Sequence, residues 1–488
     1  MNGARGVFGE DPLLARPTQL FVAVLASVVA AWLIGSGDTH TLAAAAIGLV
    51  LVAALMRWPA LTIVSLLIVC QELDPAQGFG GAGASGLLFL GHQIYFQTAA
   101  RFSLLTLVVL LGLGRVAISA HPNRPRRTAV VIVLGFGAYI TARLWADGTS
   151  LTSALNQDAR FAILFGACFA IGVVAAGSRD WARNAVPVMQ WVLSAMALIG
   201  LYLAVTGQGQ GQVGTSVIFY DSAMGAIAGA VVLAAVITPA AERNWRIWWL
   251  GGAGLIIVVL SSRRNVWAAM VVALLLALTV IRNRARLAVR VVVALAVVLV
   301  GLAVVAPSIV SEIGHQLSAI WGATQGTSAD ASVQGHLSDV SIGWDAVKAS
   351  PISGVGPNGH VAGLVVEGAG PLYIHNQVLE SWLRFGLLGA ILVIAAQVMF
   401  VVQGLIAVRR PGIDYTVRWA ALLLVMAPVA MLTAPFLTTT QRWPAILGFA
   451  AGLIAPVVGG ERLEPPSRPT ARPEPEPDPA TSTAPAPV

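Results

Sequence analysis

The sequence predicts an all-α, polytopic bundle of about twelve to fourteen transmembrane helices with one long external loop that contains short helices. Three observations predict it. Of the 488 residues, 57% are hydrophobic and only 10% are charged, against roughly 25% charged in a soluble domain; the mean hydropathy is +0.80. Apolar stretches such as 21–34, 128–145 and 291–306 recur along most of the chain, where a spanning helix needs about 20 mostly apolar residues. Between these stretches the arginines fall in short loops that alternate in charge.

Taken in order, residues 1–18 read as a cytoplasmic N-terminus. The first apolar run follows with no clear small-residue cleavage site, so that helix is expected to stay as an anchor. Helices one to eleven are expected over 19–307, an external loop over 308–377, and the C-terminal spans over 378–458. After Pro456 the composition turns to Pro, Glu, Thr and Ala, which cannot bury a core, so 459–488 reads as a disordered cytoplasmic tail. Cytoplasmic loops are enriched in Lys and Arg. Placing loops alternately inside and outside puts Arg57, Arg179, Arg183, Arg243, Arg246, Arg409, Arg410 and Arg418 inside, and the Gly-, Ser- and Thr-rich loops outside.

Lys348 is the only lysine. The net charge of +7 is spread over short loops rather than gathered in one patch, which speaks against a nucleic-acid partner. Cys70 and Cys168 fall in apolar runs, where cysteine behaves as a small hydrophobe, so neither a disulfide nor a metal site is expected, and no cofactor.

The exceptions to the arginine pattern carry information. Arg101, Arg143, Arg160, Arg263, Arg264, Arg384 and Arg442 are expected near the outer face. Arg263 and Arg264 stand in a tight polar turn, Leu260-Ser-Ser-Arg-Arg-Asn265, at a depth where an unpaired charge costs several kcal/mol. An arginine fork binds phosphate bidentately, so a lipid-borne diphosphate suits this pair; snorkelling to headgroups is the plainer reading. Arg160 either pairs with Asp158 or joins a phosphate-binding cluster. Arg143, Arg384 and Arg442 read as interface anchors, Arg384 with Glu380 one turn earlier as its partner.

About seventy residues of mixed polar sequence separate Pro307 from His375, too long for a passive connection. The segment Pro351-Ile-Ser-Gly-Val-Gly356 is a glycine-rich turn in which Gly354 and Gly356 lack the strand and helix of a nucleotide fingerprint. Asn376 is a favourable N-cap, which places His375 at the outer end of a helix, where the dipole favours anions. There it is either a general base for an incoming hydroxyl or a histidine hydrogen-bonded at a loop corner.

The ordered set of Ser262-Arg263, the long loop, Pro351 to Gly356, His375-Asn376 and Gly386-Leu-Leu-Gly389 resembles the O-antigen ligase and Wzy-type polymerase family over roughly residues 255–405. The resemblance implies a GT-C-like fold in a bacterial cytoplasmic membrane. It implies transfer of glycan from an undecaprenyl diphosphate carrier at the outer face to a glycan or lipid-glycan acceptor, without metal and with inversion. Arg263, Arg264 and Arg160 would then hold the diphosphate, and His375 would be the base or a further diphosphate ligand. Where the family often has a loop arginine before the glycine turn, this sequence has His336, with Asp339 one turn on to orient it. The family also commonly has an arginine before Asp221, but 209–220 contains none, which leaves Arg160 as the candidate. Polymerase and ligase share this chemistry and stay open. A polytopic transporter or flippase of polysaccharide precursors is the rival reading, but transporters tend to show repeated halves, and no duplication is visible.

Overall fold

The computed structural model describes residues 57–69, 137–151, 158–206, 211–213, 216–281 apart from 262, 284–289, 331–364 and 372–459, with isolated positions elsewhere. The N-terminus and first apolar stretch, Cys70, Arg101, the span expected over 291–306, the start of the expected external loop and the tail after 459 lie outside the described residues.

The elements in chain order are α1 (Pro59–Val69), α2 (Asp158–Ala176), α3 (Arg179–Val205), β1 (Gly211–Val213), β2 (Ser216–Ile218), α4 (Ser222–Ile237), a 3-10 turn (Ala240–Glu242), α5 (Trp245–Ser261), α6 (Arg264–Val280), α7 (Ala331–Ala349), α8 (Gln377–Arg409), α9 (Tyr415–Met431), α10 (Phe436–Thr439) and α11 (Arg442–Val458). Residues 137–146 are also helical. By length and composition α2, α3 and α8 are able to cross a membrane, and α1, α4, α5, α6, α9 and α11 are shorter apolar helices. The helical membrane architecture is therefore as expected. The addition is β1 and β2, an antiparallel hairpin with Gly211 opposite Ile218, in a stretch the sequence suggests as plain loop.

Capping residues set the helix starts. The side chains of Asp221, Asn376 and Asp414 accept from the backbone N–H groups of Met224, Leu379 and Thr416, satisfying donors that a helix start leaves without partners. Helices α4, α9 and α11 are buried almost all round, as a helix apolar on every face should be, and form the centre. Gly448 and Gly452, one turn apart, bring α11 against α2: a side chain at 452 would collide with the carbonyl of Phe169. Close approach through small residues is how apolar helices gain packing where lipid offers no hydrophobic drive. On α8, exposed Leu388, Ile391, Ile394 and Val398 make a lipid-facing stripe.

Ion pairs fix which helix ends lie together. Arg442 meets Asp221 at 2.7 Å and Arg384 meets Asp158 at 2.6 Å, so α2, α4, α8 and α11 all begin at one end. At the other end Arg418 meets Glu242 at 2.8 Å and Arg57 lies 3.9 Å from Asp180, where α3, α5 and α9 begin. The second end carries the arginines that the loop alternation assigns to one side.

Candidate active site

Asn376 caps α8 as the sequence suggests, its side chain 3.0 Å from the N–H of Leu379. His375 is thereby held just outside the helix, at the positive end of its dipole. Its Nδ1 lies 2.6 Å from Oδ2 of Asp339 on α7. In a neutral imidazole that donates from Nδ1 to the Asp339 carboxylate, the lone pair is on Nε2. Both side chains are mostly buried, 22% and 14% exposed, so the pair is shielded yet reachable. The ring of His336, on the same α7, lies 3.7 Å from that of His375, and Tyr373 meets His375 edge-on at 4.8 Å. Asp339, expected to orient His336, bonds His375, because α7 packs along the start of α8 and turns that face toward it. Burial pushes the Tyr373 phenol up to about 12, with the charge of Glu380 adding and that of Arg263 opposing, so Tyr373 keeps its proton.

The glycine turn holds this arrangement in place. Helix α8 is broken at Gly386, whose φ is +71°, a left-handed conformation that glycine alone adopts without strain. An unbroken helix would bond the N–H of Leu387 to the carbonyl of Leu383. Here Leu387 donates to Ile352 at 3.0 Å, and the Leu383 carbonyl accepts from Val355 at 2.8 Å and Gly356 at 3.2 Å. The turn thus supplies the hydrogen bonds that the break removes. Gly354, with φ of +67°, has no room for a side chain against the Leu383 and Trp382 carbonyls. From the other side Arg143 donates to the Ser353 carbonyl at 3.1 Å, so this arginine clasps the turn.

Arg263 precedes α6 and stands within electrostatic reach of both Asp221 and Tyr373, which links the polar turn to the His375 segment. Arg264 opens α6, half-buried. Asp221 caps α4 through Oδ1, 2.7 Å from the N–H of Met224, and receives Arg442 on Oδ2. Arg442 also donates from Nε to the Leu67 carbonyl at 3.0 Å, using an acceptor left over at the end of α1. Arg442 is therefore not the expected interface anchor: it is fully buried, because its charge is matched by Asp221. Arg442 lies beside Asp221, with Arg263 also within its electrostatic reach. Arg384 departs from the anchor reading for the same reason. It keeps its expected partner Glu380 at 3.1 Å and gains Asp158 at 2.6 Å. Arg160 lies close enough to Asp158 to lower the energy of its charge. Sequence reasoning missed Tyr373 and the burial of Glu380, Arg384 and Arg442. The signal available was their clustering near the helix ends that the loop alternation assigns to the outer side.

Residues 250–394 match the protein family described as O-antigen ligase. That stretch is similar to an O-antigen ligase domain. No curated protein matches the sequence. The matched segment starts in α5, ends in α8 and contains Arg263, Arg264, His336, Asp339, Gly354, Gly356, His375 and Asn376. Asp221, Arg160 and Arg442 lie outside the matched segment. A stretch similar to O-antigen ligase thus sits among helices of which three, by length and composition, are able to cross a membrane.

Proposed function

We propose that the protein transfers glycan from an undecaprenyl diphosphate carrier to a sugar or lipid-glycan hydroxyl, at the outer face of the bacterial cytoplasmic membrane, without a metal ion and with inversion. In this reading the arginine-rich end of the bundle faces the cytoplasm, and the segment 308–377 is the external loop of a GT-C-like fold. The observation that carries it is the Asp339–His375 pair, 2.6 Å apart, poised at a helix start inside the stretch similar to O-antigen ligase.

The acceptor hydroxyl oxygen attacks the anomeric carbon as its proton passes to Nε2 of His375, and Asp339 stabilises the imidazolium that results. The bond from the anomeric carbon to the diphosphate oxygen breaks, and its electron pair leaves with the diphosphate. Arg263 and Arg264, with Arg160 nearby, neutralise that growing negative charge, helped by the converging starts of α2, α4, α6, α8 and α11. Asp221 sets Arg442 and Arg263, and Gly354 and Gly356 hold the turn that fixes α8.

The test is a deletion strain complemented with wild type or His375→Ala at equal expression, with surface glycans sized and their carriers identified. We expect His375→Ala to behave as the deletion. Single repeat units accumulating on the carrier would mean a polymerase, and long chains stranded there a ligase. Full restoration by His375→Ala would remove the base assignment and favour a transporter.

A further inference from the structure

A second cationic site lies at the opposite end of the bundle from His375. A cavity of about 260 Å³ opens there between the first turns of α3, α5 and α9, and Arg183, Arg246 and Arg418 share its wall with Glu242, Asp414 and Asn244. The acidic groups are already engaged. Glu242 lies 2.8 Å from Arg418, whose Nη1 also reaches Thr238 at 3.2 Å. Asp414 caps α9 by accepting from the N–H of Thr416 at 3.1 Å. Asn244 likewise accepts from Ile247 at 3.1 Å at the start of α5.

Arg183 and Arg246 remain as wall cations with no carboxylate partner among the described residues. Arg246 also lies over the ring of Trp245 at 5.7 Å. Pro187, also in the wall, has no N–H for the carbonyl of Arg183, so α3 is loosened where the cavity forms. The starts of α5 and α9 add partial positive charge. With three arginines against two carboxylates, the cavity wall is net positive, which suits an anion.

Neighbouring side chains indicate the kind of anion. Trp245, Trp248 and Trp249 are exposed by 64%, 57% and 56% beside the cavity, and Arg243 lies over Trp248 at 5.1 Å. Tryptophan with arginine at the end of apolar helices marks headgroup depth. We infer that this cavity binds the phosphate of an anionic membrane lipid through Arg183 and Arg246, a structural lipid site separate from the proposed transfer site.

The test uses the full chain purified in detergent, as wild type and as the Arg183→Gln/Arg246→Gln double variant. Thermal unfolding is followed in mixed micelles with phosphatidylglycerol, with phosphatidylcholine, and with phosphatidylcholine plus inorganic phosphate. Wild type should gain about 2 °C or more in phosphatidylglycerol over phosphatidylcholine, and the double variant should show no difference between them. The comparison is between lipids within each protein, so a lower baseline for the variant leaves the readout intact. A full gain from inorganic phosphate alone would keep the anion site and make free phosphate its occupant. An equal gain in both proteins, or none in wild type, would overturn the inference. Neither arginine belongs to the proposed transfer site, so either reading stands or falls without the other.

Discussion

Asp339 reaches His375 across 36 positions of sequence, Oδ2 to Nδ1 at 2.6 Å, and that contact decides which ring nitrogen is available for chemistry. Asp339→Asn keeps the shape but removes the charge, and its amide N–H₂ can donate to Nδ1. The imidazole then carries its hydrogen on Nε2, where a base needs a lone pair. We expect the transfer rate to fall about 10²- to 10⁴-fold while the unfolding midpoint changes little. In vitro glycan transfer by purified protein measures it; a loss of only a few-fold would mean that His375 does not work as a base through Asp339.

The break at Gly386 makes a second expectation. Gly386→Ala would force a side chain into the left-handed region, at about 1–2 kcal/mol, and against the Ile352 carbonyl and the Ser353 backbone, which adds about 1–3 kcal/mol of overpacking. Gly412 is the internal control: its φ is +70°, yet a side chain there meets nothing within 4 Å. Gly412→Ala should lower stability by the backbone part alone and leave transfer intact. Gly386→Ala should lower the unfolding midpoint further and abolish transfer, since the turn and the start of α8 move together.

Much of this arrangement was legible in the sequence because it rests on local chemistry. Asn376 and the apolar run after it fix where α8 begins, and hence where His375 stands. Among the described residues, arginines that the alternation puts on one side do gather at one end of the bundle, around Arg57, Arg183, Arg246 and Arg418. Pairing over distance was not legible. Arg384 and Arg442 looked like interface anchors because their partners Asp158 and Asp221 lie 226 and 221 positions away, beyond any helical spacing rule. Gly386 stood out within Gly386-Leu-Leu-Gly389, but a lone glycine in an apolar run is compatible with an unbroken helix. Only the Ile352 carbonyl meeting Leu387 reveals the break.

The Asp221–Arg442 pair allows a double-mutant cycle. Removing Arg442 alone, as Arg442→Met, leaves a buried carboxylate without its cation and should cost about 3–5 kcal/mol. Asp221→Asn alone strands the guanidinium at a similar cost. Together they remove both charges, so the double variant should be markedly more stable than the sum of the singles. Denaturant unfolding in one detergent checks this. Additive losses would show that the two residues act on separate parts of the fold.

Tyr373 gives an expectation in pH. Its phenol is raised from an ordinary value near 10 to about 12, chiefly by burial. Below pH 10 the folded and unfolded chains both hold the proton, and the full stability is present. Between about pH 10 and 12 the unfolded chain releases that proton while the folded chain keeps it, so stability falls as pH rises through this window. Tyr373→Phe should flatten that part of the stability curve, as read from unfolding midpoints over the alkaline range. Because Tyr373 stays protonated at every pH where the enzyme would work, Tyr373→Phe should lower transfer, if its O–H contributes, by the same factor across neutral pH. A change in the shape of the neutral pH profile would instead mean that the phenol titrates there, against the burial that holds its proton.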